Sequence, residues 1–317
     1  MIDLSKVKKI TINEGSVAKI TDSHGVVWWE KKNRAPFVAT YNDGTVKELD
    51  ITVVKSTNVP NIKDVTKAEF NDGVTEIYYG AFSGCSSLTE VTMADSVTRV
   101  DDNAFFRCEN MTKFNLSKNL TYLGRQAMYM CSAMTTPIII SDSVTTIGSG
   151  ACMYCTATPY VSIGIGVTNI EENTFYECNS LTSFTIPNTV TSIGYGAFGS
   201  CDGLTSIDIP NSVTWISKFA FTTCKSLSSV TIGEGIGTIS ENAFYNCKNL
   251  TSVTITKQTY IGFDSHAFKG IASNAVLYVQ PLLVSRYEGN SSIKAQFGGG
   301  IKAIGGGIDS GDEDNGF

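Results

Sequence analysis

The nine cysteines are the residues of this sequence whose type and spacing could support chemistry. Cys152 and Cys155 are separated by two residues, a spacing that is typical of redox-active pairs and of half a zinc site. A zinc site needs further ligands, and the two histidines, His24 and His266, lie far from this pair in the sequence. We therefore interpret the cysteines as small buried side chains of a core. Disulfide bonds between neighbouring cysteines are the alternative, which an oxidising compartment would favour.

Other residue types make no stronger case for catalysis. The glycine run 305–307 lacks the strand-to-helix context and the lysine of a phosphate-binding loop. The acid pairs Asp101–Asp102 and Glu171–Glu172 are expected in solvated turns. A net charge of −6 argues against general nucleic-acid binding, and no stretch approaches the ~20 apolar residues of a membrane span. We predict no enzyme, no cofactor, no metal, no nucleic-acid partner and no membrane insertion.

Eight of the nine cysteines end a motif, Ala-Phe-x-x-Cys, that recurs mostly every 23 residues. It runs from Ala81–Cys85 to Ala243–Cys247, and a degraded ninth copy follows at Ala267–Ile271. A fixed period in the twenties predicts a solenoid, in which each repeat forms one coil and buries its apolar side against its neighbours. Between motifs, alternation such as Phe184-Thr185-Ile186 predicts a short strand with one face inside.

The segment Leu181–Cys201 carries a family resemblance, since its sequence is similar to the BspA-type (Treponema-type) leucine-rich repeat. The resemblance covers roughly residues 65–275, and residues 275–304 resemble the strand-and-helix cap that closes such arrays. Together with the repeat count and the flanking segments, it predicts a β-rich solenoid, a leucine-rich repeat array of about nine 23-residue coils with a small N-terminal β module and a C-terminal cap. The resemblance itself also implies surface binding and adhesion without catalysis, and no fixed ligand site.

Apolar residues one period apart define the columns that we expect in the core. One such column precedes the turn between the two strands of each coil: Met93, Leu116, Ile139, Ile163, Ile186, Ile209, Ile232 and Ile255. In this register Ile138 faces outward beside Thr136.

The flanks of the array differ in character, which leads to five predicted segments. These are an N-terminal β module (1–34), a β-hairpin linker or N-cap (35–64), the leucine-rich repeat solenoid (65–274), a C-terminal cap (275–304) and a Gly-rich acidic tail (305–317). The tail has the composition of a disordered segment unless a partner orders it.

The N-terminal module is expected to contain two short strands around Ile10 and Ala18 and a third ending in Trp28-Trp29-Glu30. It resembles small β modules of tailed-phage structural proteins, and a plain β lid over the first coil is the alternative. Adjacent residues on a strand point to opposite faces, so one tryptophan would fill the module's core and the other would be left for a partner. We therefore predict that Trp28 and Trp29 form an assembly contact.

Seven outward residues are the candidate ligand contacts because they interrupt an otherwise uniform Ser/Thr ladder. On the main strand these are Glu90, Lys113, Asn115 and Tyr160, and on a second outward column they are Arg99, Tyr122 and Trp215. The alternative is a solvated surface, which Ser and Thr on strands form in any case. Further aromatic residues follow the motif Phe, at Phe106, Tyr129, Tyr176 and Tyr245, and we expect them to pack between coils.

Two functional hypotheses follow. The first is a phage or prophage virion component whose array presents a surface for a protein or carbohydrate receptor, while the N-terminal module contacts other structural subunits. The second is a bacterial cell-surface BspA-like adhesin or host-protein-binding protein. No signal peptide is visible after Met1, so we expect synthesis in the cytoplasm and association with a virion, or a surface or secreted location if the start is truncated.

Overall fold

The structure is a computed structural model that describes the backbone of residues 7–13, 16–22 and 27–30 and all atoms of residues 35–264 and 266–305. The backbone ranges form an antiparallel sheet of three strands, β1 (Val7–Asn13), β2 (Ser16–Asp22) and β3 (Val27–Glu30). The expectations for the side chains of Trp28 and Trp29 and for the tail beyond Gly305 lie outside the described residues.

The strand that the alternation predicts at Phe184-Thr185-Ile186 is not formed, although Phe184 and Ile186 are buried as expected. Each of the other coils of the array contributes one strand to a main parallel face. Its strands are β7 (Val65–Phe70), β9 (Glu90–Met93), β11 (Lys113–Asn115), β13 (Ile138–Ile140), β15 (Val161–Ile163), β18 (Ser206–Ile209), β20 (Ser229–Ile232), β22 (Ser252–Ile255), β24 (Val276–Val279) and β25 (Ile301–Ala303). Partners are one period apart, as in Ser206↔Ser229 and Ser229↔Ser252. The register follows from the alternation, because one apolar side of each strand must face the interior.

A second parallel face runs beside the first and is built from strands of two residues. They are β6 (Val53–Val54), β8 (Glu76–Ile77), β10 (Arg99–Val100), β12 (Tyr122–Leu123), β14 (Thr146–Ile147), β16 (Asn169–Ile170), β17 (Ser192–Ile193), β19 (Trp215–Ile216), β21 (Thr238–Ile239) and β23 (Gly262–Phe263). The second residue of a pair points inward, as Ile216 does, and the first points outward, as Trp215 does.

The predicted solenoid is confirmed, and it has about 11 turns instead of nine. Two turns are added because β24 and β25 continue the parallel main face beyond the nine motif coils. The core runs through the whole stack, and its centre is the column of motif phenylalanines. The rings of Phe198, Phe221, Phe244 and Phe268 are stacked with centroids 5.0 to 5.2 Å apart.

The motif itself forms the third side of each coil, where the chain turns tightly. Its N–H groups donate to the next coil, as Phe198 N does to Ala220 O at 2.7 Å and Ser200 N to Thr222 O at 2.8 Å. The turn requires positive φ twice per coil, and most of these residues are not glycine, for example Asn173 (φ 53°) and Glu177 (φ 56°). A left-handed residue with a Cβ costs about 1–2 kcal/mol, so the ladder of hydrogen bonds holds the turn in this conformation.

The two ends of the array are closed differently. At the start, the hairpin of β4 (Phe37–Tyr41) and β5 (Val46–Leu49) pairs antiparallel with β7, and the Phe37 ring lies 5.2 Å from the Phe70 ring. At the other end, 3₁₀ turn 281–283 leads into α1 (Val284–Glu288) and α2 (Ser291–Lys294), which cover the last coil between β24 and β25. A second 3₁₀ turn spans 62–64.

One predicted register is wrong. Ile138 and Ile140 are buried, at 1% and 2% exposure, and Ile139 points outward at 55% exposure. The cause is a 24-residue spacing between Ala127 and Ala151, whose extra residue lies between Met134 and Ile138. This insertion shifts the strand by one position and moves every side chain of β13 to the opposite face.

Candidate binding surface

The cysteines form a ladder inside the motif turns, and all nine are free and buried. Each motif thiol lies against a backbone carbonyl of the preceding coil; the Sγ of Cys201 donates to Phe175 O at 3.1 Å and that of Cys224 to Phe198 O at 3.1 Å. A small side chain with a weak donor fits this position, which explains the repetition of cysteine. Burial raises the pKa of Cys131 and of Cys178 to about 12.

We expect native thiols to react very slowly with a maleimide or with a disulfide reagent at pH 8. The thiolate is the nucleophile, and burial raises the pKa of Cys178 from 9.0 to about 12, which lowers the thiolate fraction by a factor on the order of a thousand. The measurement is the number of labelled thiols over time by mass spectrometry, with a sample in denaturant as the control in which all nine react. Rapid labelling of most sites in the folded protein would contradict the buried ladder.

The predicted absence of a metal centre stays a prediction, and the geometry is compatible with it. Among the residues that the structure describes, no group of three or more His, Cys, Asp and Glu side chains could hold a metal ion. Cys152 and Cys155 are both fully buried, and burial raises the pKa of both thiols well above the usual value. Within the described part of the chain, no helix is long and apolar enough to cross a membrane.

On the main face, the candidate residues occupy neighbouring coils. Glu90 lies on β9, with its carboxylate 3.5 Å from the Lys67 ammonium, while Lys113 and Asn115 are exposed on β11. Tyr160 directly precedes β15 and is 41% exposed. The Tyr160 carbonyl accepts a hydrogen bond from Ile138 N at 3.0 Å, which places this tyrosine in the coil beside β13.

Between these residues lies an exposed apolar side chain, Ile139, which the predicted register places in the core. We define the Ile139 patch as Asn115, Pro137, Ile139 and Tyr160, all of which are exposed. Ile139 is the aliphatic member of a column that otherwise reads Thr92, Asn115, Ser162, Thr185, Asp208, Thr231 and Thr254 in the motif coils. Pro137 and the 24-residue spacing were the signals that could have located it.

The main face is interrupted at the patch. Strands β13 and β15 pair with each other but form a sheet separate from the strands on either side. Proline has no N–H to donate. Next to Pro137, the side-chain hydroxyl of Thr136 accepts a hydrogen bond from Phe114 N at 3.2 Å and so takes the place of a backbone carbonyl. A groove of about 120 Å³ opens here, with Leu116, Pro137 and Ile139 in its lining. The patch is thus a local recess at the break between the sheet that ends in β11 and the sheet of β13 and β15.

The candidates on the second face do not join the Ile139 patch. The Arg99 guanidinium lies 3.9 Å from the centre of the Tyr122 ring and 2.9 Å from Asp101, and the Tyr122 hydroxyl donates to Asp102 at 3.0 Å. Arg99 and Tyr122 therefore already contact each other and are bound to the neighbouring carboxylates of Asp101 and Asp102. Trp215, on β19, is 51% exposed and is the remaining large aromatic candidate on this face.

The aromatic residues that follow the motif Phe behave largely as expected. Phe106 and Tyr129 are stacked with ring centroids 4.8 Å apart, and Tyr154 and Tyr176 extend the row at 5.5 and 5.9 Å. These four rings pack between coils and are only half exposed. Tyr154 was missed by the sequence analysis because it occupies a different position of its motif.

Comparison with known proteins identifies the repeat. The family described as "BspA type Leucine rich repeat region" matches in six copies over residues 56–179 and 145–275. None of the curated proteins that were compared matches the chain.

Three solved structures illustrate the similarity. The Treponema pallidum leucine-rich repeat protein is 23% identical, with 65% of this chain and 76% of that one covered and a TM-score of 0.39. A leucine-rich repeat protein from Eubacterium ventriosum is 21% identical, with 78% and 86% covered and a TM-score of 0.40. The pneumococcal vaccine antigen PcpA is 14% identical, with 96% and 98% covered and a TM-score of 0.40.

Proposed function

This chain belongs to the BspA-type leucine-rich repeat family, and from that premise we propose that it is a non-catalytic binding protein whose main face engages a protein partner at the Ile139 patch. Repeats of this kind generally mediate protein binding. The observation that carries the choice of surface is the outward, 55% exposed Ile139 beside a recess on the main face. Exposed apolar groups with a polar rim mark interaction sites more often than isolated apolar residues do.

The composition of the patch favours a protein over a glycan. Ile139 and Pro137 offer apolar surface without hydrogen-bonding groups, and the exposed Tyr160 adds an aromatic anchor of the kind that dominates protein interfaces. Asn115 is the polar member of the patch, and the exposed Lys113 on the same neighbouring strand supplies a polar rim. Glu90, one coil further, extends the rim, whereas Arg99, Tyr122 and Trp215 lie on the other face and are not part of this proposal.

The test is saturable binding of labelled protein to a panel of bacterial and animal cells, measured by flow cytometry. We expect the double variant Ile139→Thr/Tyr160→Ser to bind at least about tenfold more weakly, which corresponds to about 1.4 kcal/mol. The matched control is Thr231→Ser/Thr254→Ser, which changes two outward residues of later coils on the same face. Equal binding by both double variants would contradict the patch, and inhibition by free oligosaccharides but not by protease treatment of the cells would favour a glycan.

Attachment is proposed for the N-terminal end, through residues 1–34, because the strands β1, β2 and β3 within this segment form a sheet of their own. In the virion hypothesis this sheet contacts other structural subunits, and in the cell-surface hypothesis it joins the array to the rest of an adhesin. The experiment is deletion of residues 1–34 followed by co-purification with the assembly. We expect incorporation to be lost while the array stays folded by circular dichroism. The deletion must end before Phe37, because β4 closes the first coil.

Incorporation that survives this deletion would overturn the attachment role. Incorporation that is lost in the Ile139→Thr/Tyr160→Ser variant instead would reverse the assignment of the two ends.

A further inference from the structure

The last motif turn leaves backbone donors without the coil that would accept from them. In the preceding coil, Phe244 N donates to Ala267 O at 2.8 Å and Asn246 N to Lys269 O at 2.7 Å. The equivalent donors of the last motif are the N–H groups of Phe268 and Gly270. His266 has the motif position of Asn173, whose N–H donates to Tyr195 O at 2.8 Å in an earlier coil. No motif coil follows them, so they point along the array toward the cap.

The cap satisfies only the central donor. The side-chain oxygen of Gln296 accepts from Phe268 N at 2.8 Å and so replaces the carbonyl of a missing coil. Among residues 35–264 and 266–305, the N–H groups of His266 and Gly270 have no acceptor. Both residues have positive φ, 64° and 79°, and they lie on either side of Phe268 in the same turn.

A cleft opens beside these donors. It has a volume of about 510 Å³, and His266, Lys269 and Gly270 line it together with Ser273, Ser292 and Gln296. Its lining contains a lysine and a histidine but no aspartate or glutamate. Glu241, which lies near His266, is already engaged with Lys218 at 2.9 Å. The cleft therefore combines free N–H donors, hydroxyl groups and positive charge, which is the chemistry that a carboxylate needs.

A segment of matching charge lies next to the cap in the same chain. Residues 306–317 contain Asp309, Asp312, Glu313 and Asp314 and no lysine or arginine. Gly298, which lines the cleft, is followed only seven residues later by Gly305, where the described chain stops. Twelve residues span up to ~40 Å when extended, so the segment is long enough to reach the cleft. We propose that this end cleft is a carboxylate-binding site and that the acidic segment 306–317 occupies it.

The test is amide hydrogen exchange of the full chain, read at His266 and Gly270 by NMR. The comparison is a full-length variant in which the four acids are neutralised, Asp309→Asn, Asp312→Asn, Glu313→Gln and Asp314→Asn. We expect the two amides to exchange at least about tenfold faster in the neutralised chain, because a hydrogen-bonded amide must open before it exchanges. Phe268 N is the internal control, since Gln296 protects it in both chains.

Two lysine variants distinguish binding of the acidic segment in the cleft from a general electrostatic attraction between that segment and the cap. Lys269→Glu, in the cleft, should abolish the protection of His266 and Gly270. Lys294→Glu makes the same charge change on α2 outside the cleft lining and should leave the protection intact.

Equal exchange in the wild-type and neutralised chains would overturn the proposal, as would equal effects of the two lysine variants. If His266 and Gly270 are unprotected in the full chain but become protected on addition of a free peptide with the sequence of 306–317, the occupant is an acidic segment supplied from outside, and the assignment to this chain's own tail is wrong.

Discussion

Replacement of Phe198 by alanine is expected to lower the free energy of unfolding by about 3–5 kcal/mol. The ring is fully buried and lies between Phe175 and Phe221, with centroids 5.4 and 5.2 Å away, and it makes an edge contact with Phe184 at 4.8 Å. The backbone hydrogen bonds of the second face and of the motif turns hold the coils at a fixed spacing, so the site cannot collapse around the smaller side chain. Denaturant unfolding followed by circular dichroism gives the change.

The matched control is Phe106→Ala, which removes the same side chain from a half-exposed position where it stacks on Tyr129. We expect it to cost less than half as much, because water already reaches that ring. Neighbouring coils share the core, so the Phe198 variant should also show a broader unfolding transition as the array loses coupling in its middle. If both variants lowered the free energy of unfolding by the same small amount, the placement of Phe198 in the core would be contradicted.

Loss of Tyr287 is expected to open the C-terminal end of the array. Its ring is fully buried in α1 against Tyr260, with centroids 4.6 Å apart, and its hydroxyl accepts a hydrogen bond from Ile261 N at 3.0 Å. Tyr287→Ala removes both interactions, and we expect a loss of about 3–5 kcal/mol. Tyr287→Phe keeps the ring but leaves Ile261 N without an acceptor, which should cost about 1–3 kcal/mol.

The control in the same cap is Leu282→Ala, because Leu282 is 96% exposed and its loss should change stability by less than about 0.5 kcal/mol. Thermal melting and light scattering during the scan are the measurements. An opened end exposes the edges of β22 and β23, so we also expect Tyr287→Ala to aggregate at lower temperature. A cap that tolerates Tyr287→Ala without either effect would not be closing the array.

The sequence predicts the solenoid because the motif recurs nine times. A copy that deviates at one position does not change the period, because the remaining copies still define it. Prediction fails where a coil departs from the period. The extra residue before Ile138 is such a departure: Ile138 and Ile139 are both apolar and β-branched, so the pattern cannot tell which one points inward. The recess at Pro137 follows from the same local change, and it therefore escaped prediction together with the register.

The end cleft was beyond sequence reasoning for a different reason. The side chain of His266 suggests a metal or catalytic ligand, whereas in the structure its backbone N–H faces the end of the array without an acceptor among the described residues. Backbone donors carry no sequence signal, and whether one is paired depends on which coil comes next. Gln296 could be recognised as a substitute for a missing carbonyl only after its contact with Phe268 N was seen.

The repetition of identical contacts between coils also bears on how such a gene can change in length. Thiol-to-carbonyl contacts recur at 26 residues, as in Cys201 to Phe175 and Cys224 to Phe198, and each end has its own closure in β4 and in α1. Duplication or loss of one whole 23-residue unit between Cys178 and Cys247 would therefore leave every interface between coils of the same kind as before. Unequal recombination within these repeats would change the number of coils in the array and would leave the Ile139 patch and both end closures unchanged.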